Sequence, residues 1–453
     1  MLFLSTATAG EMLKKIPDQV DGIELRLDLF PKINLDELKS LKHTLMFTLR
    51  KTSHGGSFQG SEEDRENTIL NLLSLEPSFF DLEYDMNPSF LQKTIPNHSH
   101  TKFIISYHNF QNTPENLEEL YEIMTTYPAY GYKIAALSRS SNDALKMLLF
   151  SKKHPKLSVI CMGDHGEFAR VLGKVAGNLI DYCALTEDEK TAPGQLTLKE
   201  LLSIYNYPKL SPQTALYGLI GDPVTQSLGH LYHNEVFQRK QLNAVYVKMH
   251  VKKEELSIFL PLAKEMGFLG LSVTMPLKEI ILSFIDHIDS KAKQIGALNT
   301  LLFKSNQSFG SNTDAGGALD AIENRTLVKN KKMIIVGTGG ASKAIAFEAL
   351  HRGALVFILS RDKNRAQDLS SMLGCEGGSS LDKLQDFDIL VNCSPDSLML
   401  QQLTFSSSTL VMDINYNPKE TPLLTRAKEF GCPVIYGEEM FFNQAAEQTK
   451  TWT

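Results

Sequence analysis

Lys102-Phe103-Ile104-Ile105-Ser106-Tyr107-His108 is followed by an amphipathic stretch at 114–126, then by Tyr132-Lys133-Ile134-Ala135-Ala136-Leu137 and a second amphipathic stretch at 142–153. The short, mostly apolar runs read as strands covered on both faces. The stretches between them, with apolar residues recurring at helical spacing, read as helices. The same alternation continues outward on both sides. Strand-like runs fall at 2–5, 22–28, 44–50, 79–84, 157–162 and 180–185, with further helical stretches at 35–41 and 64–75. About eight βα units in about 200 residues suit a small (β/α)8 barrel, although a doubly wound sheet alternates in the same way.

A stretch at 205–213, with Pro208 and Pro212 among polar residues, reads as a linker. A second α/β pattern follows, with strands expected at 217–223, 244–251, 267–274 and 297–303. A polar break at 324–332 precedes Met333-Ile334-Ile335-Val336, which opens a further βαβ series through 355–359, 389–392, 410–413 and 433–436. The second half is therefore expected to form two lobes, with a last helix at 438–449 returning to the first of them.

Composition narrows the function. The chain has 453 residues, 42% hydrophobic and 22% charged, which excludes a disordered or collagen-like chain. A net charge of −6 gives no support to nucleic acid or an anionic membrane as partner. Cys161, Cys183, Cys375, Cys393 and Cys432 are scattered without a CxxC pair and read as reduced thiols of a cytoplasmic protein. Met1-Leu2-Phe3-Leu4 reads as a first strand, not a signal peptide. His230 and His233 have metal-ligand spacing but no third ligand nearby, so they read as ordinary helix residues and no metal is expected. Oligomeric state is not legible.

Charged residues inside strands carry the chemistry of the first half. Glu24, Arg26 and Asp28 share one face, as do Asp81 and Glu83. Such charges are costly in a covered strand unless paired or functional. Arg50, His108, Lys133, Arg170 and Gln195 lie at or after other strand ends, which converge on one face of a barrel. Desolvation and nearby cations are expected to lower the pKa of Lys133 in its apolar strand, leaving a fraction as free amine. A free amine condenses with a ketone, and the imine acidifies the adjacent C–H for His108 to take. Arg50 and Arg170 would hold a carboxylate or hydroxyls. The residues alone leave both an imine-forming lyase and a barrel with structural ion pairs open.

Glu24-Leu25-Arg26, Ser106-Tyr107-His108, Tyr132-Lys133-Ile134-Ala135 and Ala192-Pro193-Gly194-Gln195 resemble the type I 3-dehydroquinate dehydratases. The resemblance implies that Lys133 forms the imine and that His108 is general base, then acid, in loss of water. It implies that Glu24, Arg26, Arg50, Arg170 and Gln195 bind the substrate, with Thr191 and Ser5 adding hydroxyls. The chain departs from the family at His54, where a glutamate usually orients the catalytic histidine; Glu83 is the expected substitute. Thr191 stands for the usual serine.

Val336-Gly337-Thr338-Gly339-Gly340-Ala341 follows a strand and precedes a helix, as a phosphate-binding turn does, with Ser342 in the third glycine's place. The next strand ends in Ser360-Arg361-Asp362, and Arg361 with Arg365 favours a 2′-phosphate, hence NADP, while Asp362 keeps open a ribose hydroxyl. Lys278 and Asp314 lie in polar turns and make a candidate proton-transfer pair.

Gly221-Asp222-Pro223, Ser227, the run from Thr274 to Lys278, Gly296-Ala297-Leu298-Asn299-Thr300, Asn312-Thr313-Asp314 and Gly437 through Gln444 resemble shikimate dehydrogenase. The resemblance implies Lys278 and Asp314 as the catalytic pair. It implies substrate contacts from Ser227, Thr274, Asn299, Asp314, Tyr416 and Gln444. It assigns the cofactor to Gly337, Thr338, Gly339, Gly340, Ala341, Ser360, Arg361 and Arg365, with Ile414 and Gly437 at the nicotinamide end. Gly229 departs from the family's second serine.

The expected architecture is a dehydratase barrel at 1–207, a substrate lobe at 215–325, a Rossmann-like NADP lobe at 326–435 and a returning helix at 436–453. The expected function is dehydration of 3-dehydroquinate followed by reduction of 3-dehydroshikimate with NADPH. Two alternatives remain: a Schiff-base aldolase fused to another dehydrogenase, and a non-catalytic metabolite sensor, which the departures at His54 and Gly229 motivate.

Overall fold

The computed structural model describes residues 1–7, 18–30, 44–380, 386–395, 400 and 403–453; the helical stretch expected at 35–41 lies outside them. Two compact units form. One comprises Met1–Leu216, Asn234–Val251 and Ile258–Gly267; the other comprises Tyr217–His233, Lys252–Ser257 and Phe268–Thr453.

In the first unit eight strands make one parallel sheet. They are β1 (Leu2–Thr6), β2 (Gly22–Arg26), β3 (Leu45–Thr48), β4 (Phe79–Glu83), β5 (Lys102–Asn109), β6 (Gly131–Leu137), β7 (Leu157–Met162) and β8 (Asp181–Cys183). Their order is β7-β6-β5-β4-β3-β2-β1-β8. A helix follows each of β3 to β8, and those beginning after Ser61, Ser140 and Thr197 open with reciprocal capping boxes to Asp64, Asp143 and Glu200. The seam between β7 and β8 is bridged by a side chain. Asn178 Oδ1 accepts from Val159 N at 3.0 Å and its Nδ2 donates to Val159 O at 3.0 Å. The sheet is thus a near-closed (β/α)8 barrel.

Phe3, Met46, Phe79, Ile104, Ala135, Ile160 and Tyr182, one from each of seven strands, fill its interior. The two-residue period of a strand puts Asp81 and Glu83 on the face of Phe79, and Ser106 and His108 on the face of Ile104. The apolar layer therefore supports a charged layer towards the strand C-termini. The stretch at 205–213 is held down, not free: buried Tyr207 donates to Asp181 Oδ2 at 2.6 Å, and Lys174 Nζ donates to Pro208 O at 2.9 Å.

A mixed sheet combines β9 (Ala215–Gly221), β10 (Ala244–His250), β11 (Phe268–Val273), β12 (His287–Ile288), β13 (Thr300–Lys304) and β14 (Gln307–Ser311), in the order β10-β9-β11-β13-β14-β12. The β13–β14 hairpin turns at Ser305 and Asn306, both with positive φ. The sequence reading missed it because no glycine marks the turn.

The third sheet is parallel: β15 (Lys332–Val336), β16 (Leu355–Leu359), β17 (Glu376–Gly378), β18 (Ile389–Asn392), β19 (Leu410–Asp413) and β20 (Val434–Ile435), ordered β17-β16-β15-β18-β19-β20. Met333, Ile335, Val391 and Met412 join one core, while Ile334, Val336, Leu390 and Val411 join another. That two-sided burial is the Rossmann-like arrangement.

The last helix, Gly437–Trp452, is tied to β13: Gln448 Nε2 donates to Asn299 O and Trp452 Nε1 to Leu301 O, both at 2.9 Å. Gly270 makes room for Trp452, since a Cβ there would lie 2.4 Å from the indole nitrogen. Among the described residues, no helix is long and apolar enough to cross a membrane.

Candidate functional site

The strand ends of the first unit surround a cavity of about 70 Å³. Ser5, Glu24, Arg26, Arg50, His108, Lys133, Arg170, Thr191 and Gln195 all line it, so the first-half residues expected to catalyse or to bind substrate arrive in one place. Beneath them lies buried Asp81 on β4. Arg50 donates from Nη2 to Asp81 Oδ1 at 2.9 Å and from Nη1 to Ser106 Oγ at 3.2 Å. The same Nη1 lies 3.0 Å from His108 Nδ1. Lys133 Nζ forms an ion pair with Asp81 Oδ2, is 3.8 Å from Glu24 Oε1 and stands 4.9 Å above the Tyr182 ring. Glu24 is fixed in turn by Ser5 Oγ at 2.6 Å and Thr48 Oγ1 at 2.9 Å.

Burial and charge set the protonation states. Burial alone would raise the Asp81 carboxyl, but Arg50 and Lys133 hold it well below the usual carboxylate range. Burial pushes the His108 imidazole well below its ordinary value, and Arg50 and Lys133 push it further, so it is neutral near pH 7. Arg170 is buried with Nε lacking a hydrogen-bond partner, and burial lowers its pKa to about 10. An underused buried guanidinium facing a cavity is suited to an anionic or hydroxylated ligand. Arg26 is already satisfied by Asp28 through Nε at 3.0 Å and Nη2 at 2.8 Å. Thr191 contacts Ser5 Oγ at 3.1 Å, and its amide donates to Gln195 Oε1 at 2.8 Å.

Two expectations need correction. The neighbours expected to strip Lys133 of its proton were cations, yet the groups next to Nζ are the carboxylates of Asp81 and Glu24. Glu83 was expected to orient His108. Its carboxylate is taken instead by Arg65 Nη1 and by the Lys51 amide, the latter at 3.2 Å. Asp81 and Ser106 were missed as site members; their same-face spacing with Glu83 and His108 was the available signal.

In the second unit Lys278 Nζ meets Asp314 Oδ2 at 2.5 Å. Asp314 opens the helix Asp314–Glu323, and Lys278 sits just beyond β11 in Leu277–Ile280. Asn299 Nδ2 donates to Asp314 Oδ1 at 2.9 Å and to Gln444 Oε1 at 3.1 Å. Lys278, Asp314, Asn299 and Gln444 therefore form one network. Ser227 lies beside the Tyr416 hydroxyl. Thr274 lies against Gly221, where a Cβ would approach its Cγ2 to 2.3 Å.

A dinucleotide fits the turn after β15. Gly337 has φ +112°, a conformation that favours glycine. A Cβ at Gly339 would meet nothing within 4 Å, and no side chain caps the helix Gly340–His351, so its first amides are free for a phosphate. A Cβ at Gly340 would come within 3.1 Å of Lys278 Cβ, so the turn borders the Lys278–Asp314 pair. Gly337 N donates to Leu359 O at 2.8 Å, which places Ser360 and exposed Arg361 at the adjoining strand end. Asp362 caps the next helix through the amides of Asn364 and Arg365 at 3.0 and 3.1 Å, both bound to Oδ1, one of its two carboxylate oxygens. Gly437 packs on Ile414, a Cβ there lying 2.4 Å from Ile414 O. Among the described residues, no group of three or more His, Cys, Asp or Glu is placed to hold a metal ion.

Comparison with known proteins agrees across the chain. Residues 2–212 match the family described as type I 3-dehydroquinase, and residues 219–301 match the shikimate dehydrogenase substrate binding domain. Shikimate biosynthesis protein AroDE of Chlamydia pneumoniae is 37% identical over 458 residues, spanning 99% of this chain and 93% of that protein. The chloroplastic bifunctional 3-dehydroquinate dehydratase/shikimate dehydrogenase of Arabidopsis thaliana is 33% identical, over 96% of this chain and 77% of its own length. The shikimate 5-dehydrogenase of Thermus thermophilus, solved with NADP(H) and shikimate, superposes with a TM-score of 0.50 at 30% identity, covering 53% of this chain and 94% of that one.

Proposed function

The chain belongs to the bifunctional 3-dehydroquinate dehydratase/shikimate dehydrogenase family of the shikimate pathway, and from that premise we infer how its residues divide the work. It is a lyase and an NADP-dependent oxidoreductase in one chain. The assignment of steps to side chains is our proposal. Lys133, as the free amine, attacks the ketone carbon of 3-dehydroquinate and expels water to give an imine, with the Asp81 carboxylate holding its nitrogen in place. His108, neutral and on the same cavity, removes the proton from the carbon beside the imine and returns it to the departing hydroxyl. Hydrolysis of the imine then frees 3-dehydroshikimate and regenerates Lys133. Arg50 and Arg170 hold the ligand's carboxylate and hydroxyls, with Arg26, Glu24, Gln195, Thr191 and Ser5 around them.

In the second site Lys278, paired with Asp314, gives a proton to the ketone oxygen of 3-dehydroshikimate. NADPH, when bound, supplies the hydride. Asn299, Gln444, Thr274, Ser227 and Tyr416 position the substrate. Gly337, Thr338, Gly339, Gly340, Ala341, Ser360, Arg361, Arg365, Ile414 and Gly437 hold the cofactor. We assign these activities to 1–207, to 215–325 with 326–435, and to a closing helix at 436–453. A cytoplasmic location goes with the five unpaired cysteines.

The observation that carries this reading is that Lys133 and His108 share one cavity with Arg50 and the unsatisfied Arg170. One assay tests it. The chain should oxidise NADPH when given 3-dehydroquinate. The Lys133→Ala variant should do so only when given 3-dehydroshikimate. Equal oxidation by both proteins from 3-dehydroquinate would refute the role of Lys133.

A further inference from the structure

His54 lies on the same cavity as His108 and Lys133. Its position is fixed from several directions. It closes the turn Thr52–His54, with its amide donating to Lys51 O at 3.1 Å. The next residue, Gly55, has φ +74° and presents its carbonyl to Arg26 Nη2 at 3.4 Å. His54 Nε2 lies 3.3 Å from Asp85 Oδ2, and Lys51 Nζ binds that same oxygen at 2.8 Å. Its other ring nitrogen, Nδ1, is buried and has no hydrogen-bond partner.

The chemistry of the two rings follows from their partners. A carboxylate only accepts, so His54 Nε2 carries a hydrogen, and in the tautomer that this contact selects Nδ1 is the accepting nitrogen. A buried acceptor without a donor is costly, and such groups in native structures usually have a role. His108 has the complementary difficulty. Arg50 Nη1, a donor only, lies 3.0 Å from His108 Nδ1, so in this arrangement that nitrogen accepts. When His108 takes a proton from substrate, both of its nitrogens carry hydrogen. The substrate proton enters at Nδ1, the bare nitrogen, so Arg50 must give way there, and the Nε2–H that the neutral ring already carries is the donor that needs an acceptor. The His54 and His108 rings are 6.1 Å apart between centroids. Two hydrogen-bonded imidazoles sit about 5 Å apart, so an approach of about 1 Å joins them.

We propose that His54, anchored by Asp85 and Lys51, is the positioning residue that accepts a hydrogen bond from His108 when that ring is protonated, so that dehydration runs on an Asp85–His54–His108 chain. The inference rests on the dehydratase reading of this cavity. The substrate proton goes to His108 and then to the departing hydroxyl. His54 only accepts a hydrogen bond from the ring that carries it, and the Asp85 carboxylate balances the imidazolium charge through His54. The groups facing His54 are Asp85 and Lys51 beside it, Tyr84 with its ring 6.5 Å away, His108, and Arg26 and Arg50 across the turn. Burial makes the imidazolium expensive, and Arg50 and Lys133 make it more so, which is why an acceptor at this point matters.

The test compares the dehydratase kcat, KM and pH profile of the full chain with those of His54→Leu, His54→Gln and Asp85→Asn. A glutamine can donate to Asp85 and accept from His108 without titrating. His54→Leu is expected to lose about 10- to 100-fold in kcat with KM within about threefold. Its acid limb should move to lower pH, because the protonated form of His108 has lost its partner. His54→Gln should recover most of the rate, and Asp85→Asn should shift the limb in the same direction as His54→Leu, by less. Reductase activity in the same samples reports that the chain is folded. A wild-type rate and profile in His54→Leu overturns the inference, as does a His54→Gln protein no better than His54→Leu. A wild-type chain that releases no water from 3-dehydroquinate overturns the dehydratase reading itself.

Discussion

Replacing Arg170 by methionine should make the protein more stable and a worse dehydratase. Arg170 is only 5% exposed, its Nε has no partner among the described residues, and the hydrogen bond it makes to them is a long contact from Nη2 to Pro193 O at 3.4 Å. Burial takes its pKa from 12.5 to about 10, a cost of about 3 kcal/mol at roughly 1.4 kcal/mol per tenfold. A cation whose folded pKa is depressed destabilises the fold at every pH below that value. The penalty is therefore full at pH 7 and fades only as pH rises through about 10. Methionine fills much of the same space without a charge to desolvate. Allowing for lost packing, the gain should be about 1–3 kcal/mol, or roughly 2–10 °C in Tm for a domain of this size. The same change removes a charge-assisted hydrogen bond to the ligand, worth about 1.5–3 kcal/mol, so kcat/KM for dehydration should fall roughly 10- to 150-fold. Calorimetry and steady-state formation of the conjugated enone measure both effects on one preparation. A variant that melts earlier and keeps its kcat/KM would show that Arg170 is a structural cation, and the reasoning would fail at its first step.

Further outcomes follow from other features of the two sites. Lys278→Met should lower kcat for 3-dehydroshikimate reduction about 10²- to 10⁴-fold while dehydration in the same chain is untouched; an unchanged reductase rate contradicts the Lys278–Asp314 assignment. Arg361→Ala together with Arg365→Ala should raise the KM for NADPH about tenfold or more and leave that for NADH nearly constant, since only the 2′-phosphate contact is lost; parallel changes in both would count against it. His108 is held neutral in the fold, so the unfolded chain binds an extra proton below about pH 6.5 and stability falls with pH. In His108→Asn the loss of unfolding free energy between pH 7 and pH 5, read from urea midpoints, should be smaller by about 2 kcal/mol; identical losses would mean that the ring titrates freely.

How far the sequence could be read depended on whether a feature is local. Strands such as Leu157–Met162 and Leu355–Leu359 announce themselves because continuous apolar runs have nowhere to go but a sheet covered on both faces. The convergence of Arg50, His108 and Lys133 was also legible, since strand C-termini meet on one face of a barrel. Partner choice was not. Whether Lys133 would meet cations or carboxylates depends on the register that sets Ser106 opposite Lys133 and Glu83 opposite Ser106. One residue of offset changes the neighbours, and spacing within a strand does not reveal it. Glu83 was misjudged for the same reason: Arg65, which binds it, lies on the helix Glu62–Leu73 and looks in sequence like one more exposed helix charge. The β13–β14 hairpin and the short strands β12 and β17 escaped because their few residues carry little periodicity.

The central claim is a covalent one, that the amine on β6 captures the substrate ketone. Borohydride added to the chain with 3-dehydroquinate, followed by proteolysis and mass spectrometry, tests it directly. A reduced ligand adduct on the peptide carrying Lys133, absent without borohydride and absent from the Lys133→Ala protein, is the predicted result. Water loss at the full rate with no adduct on Lys133 would contradict the account.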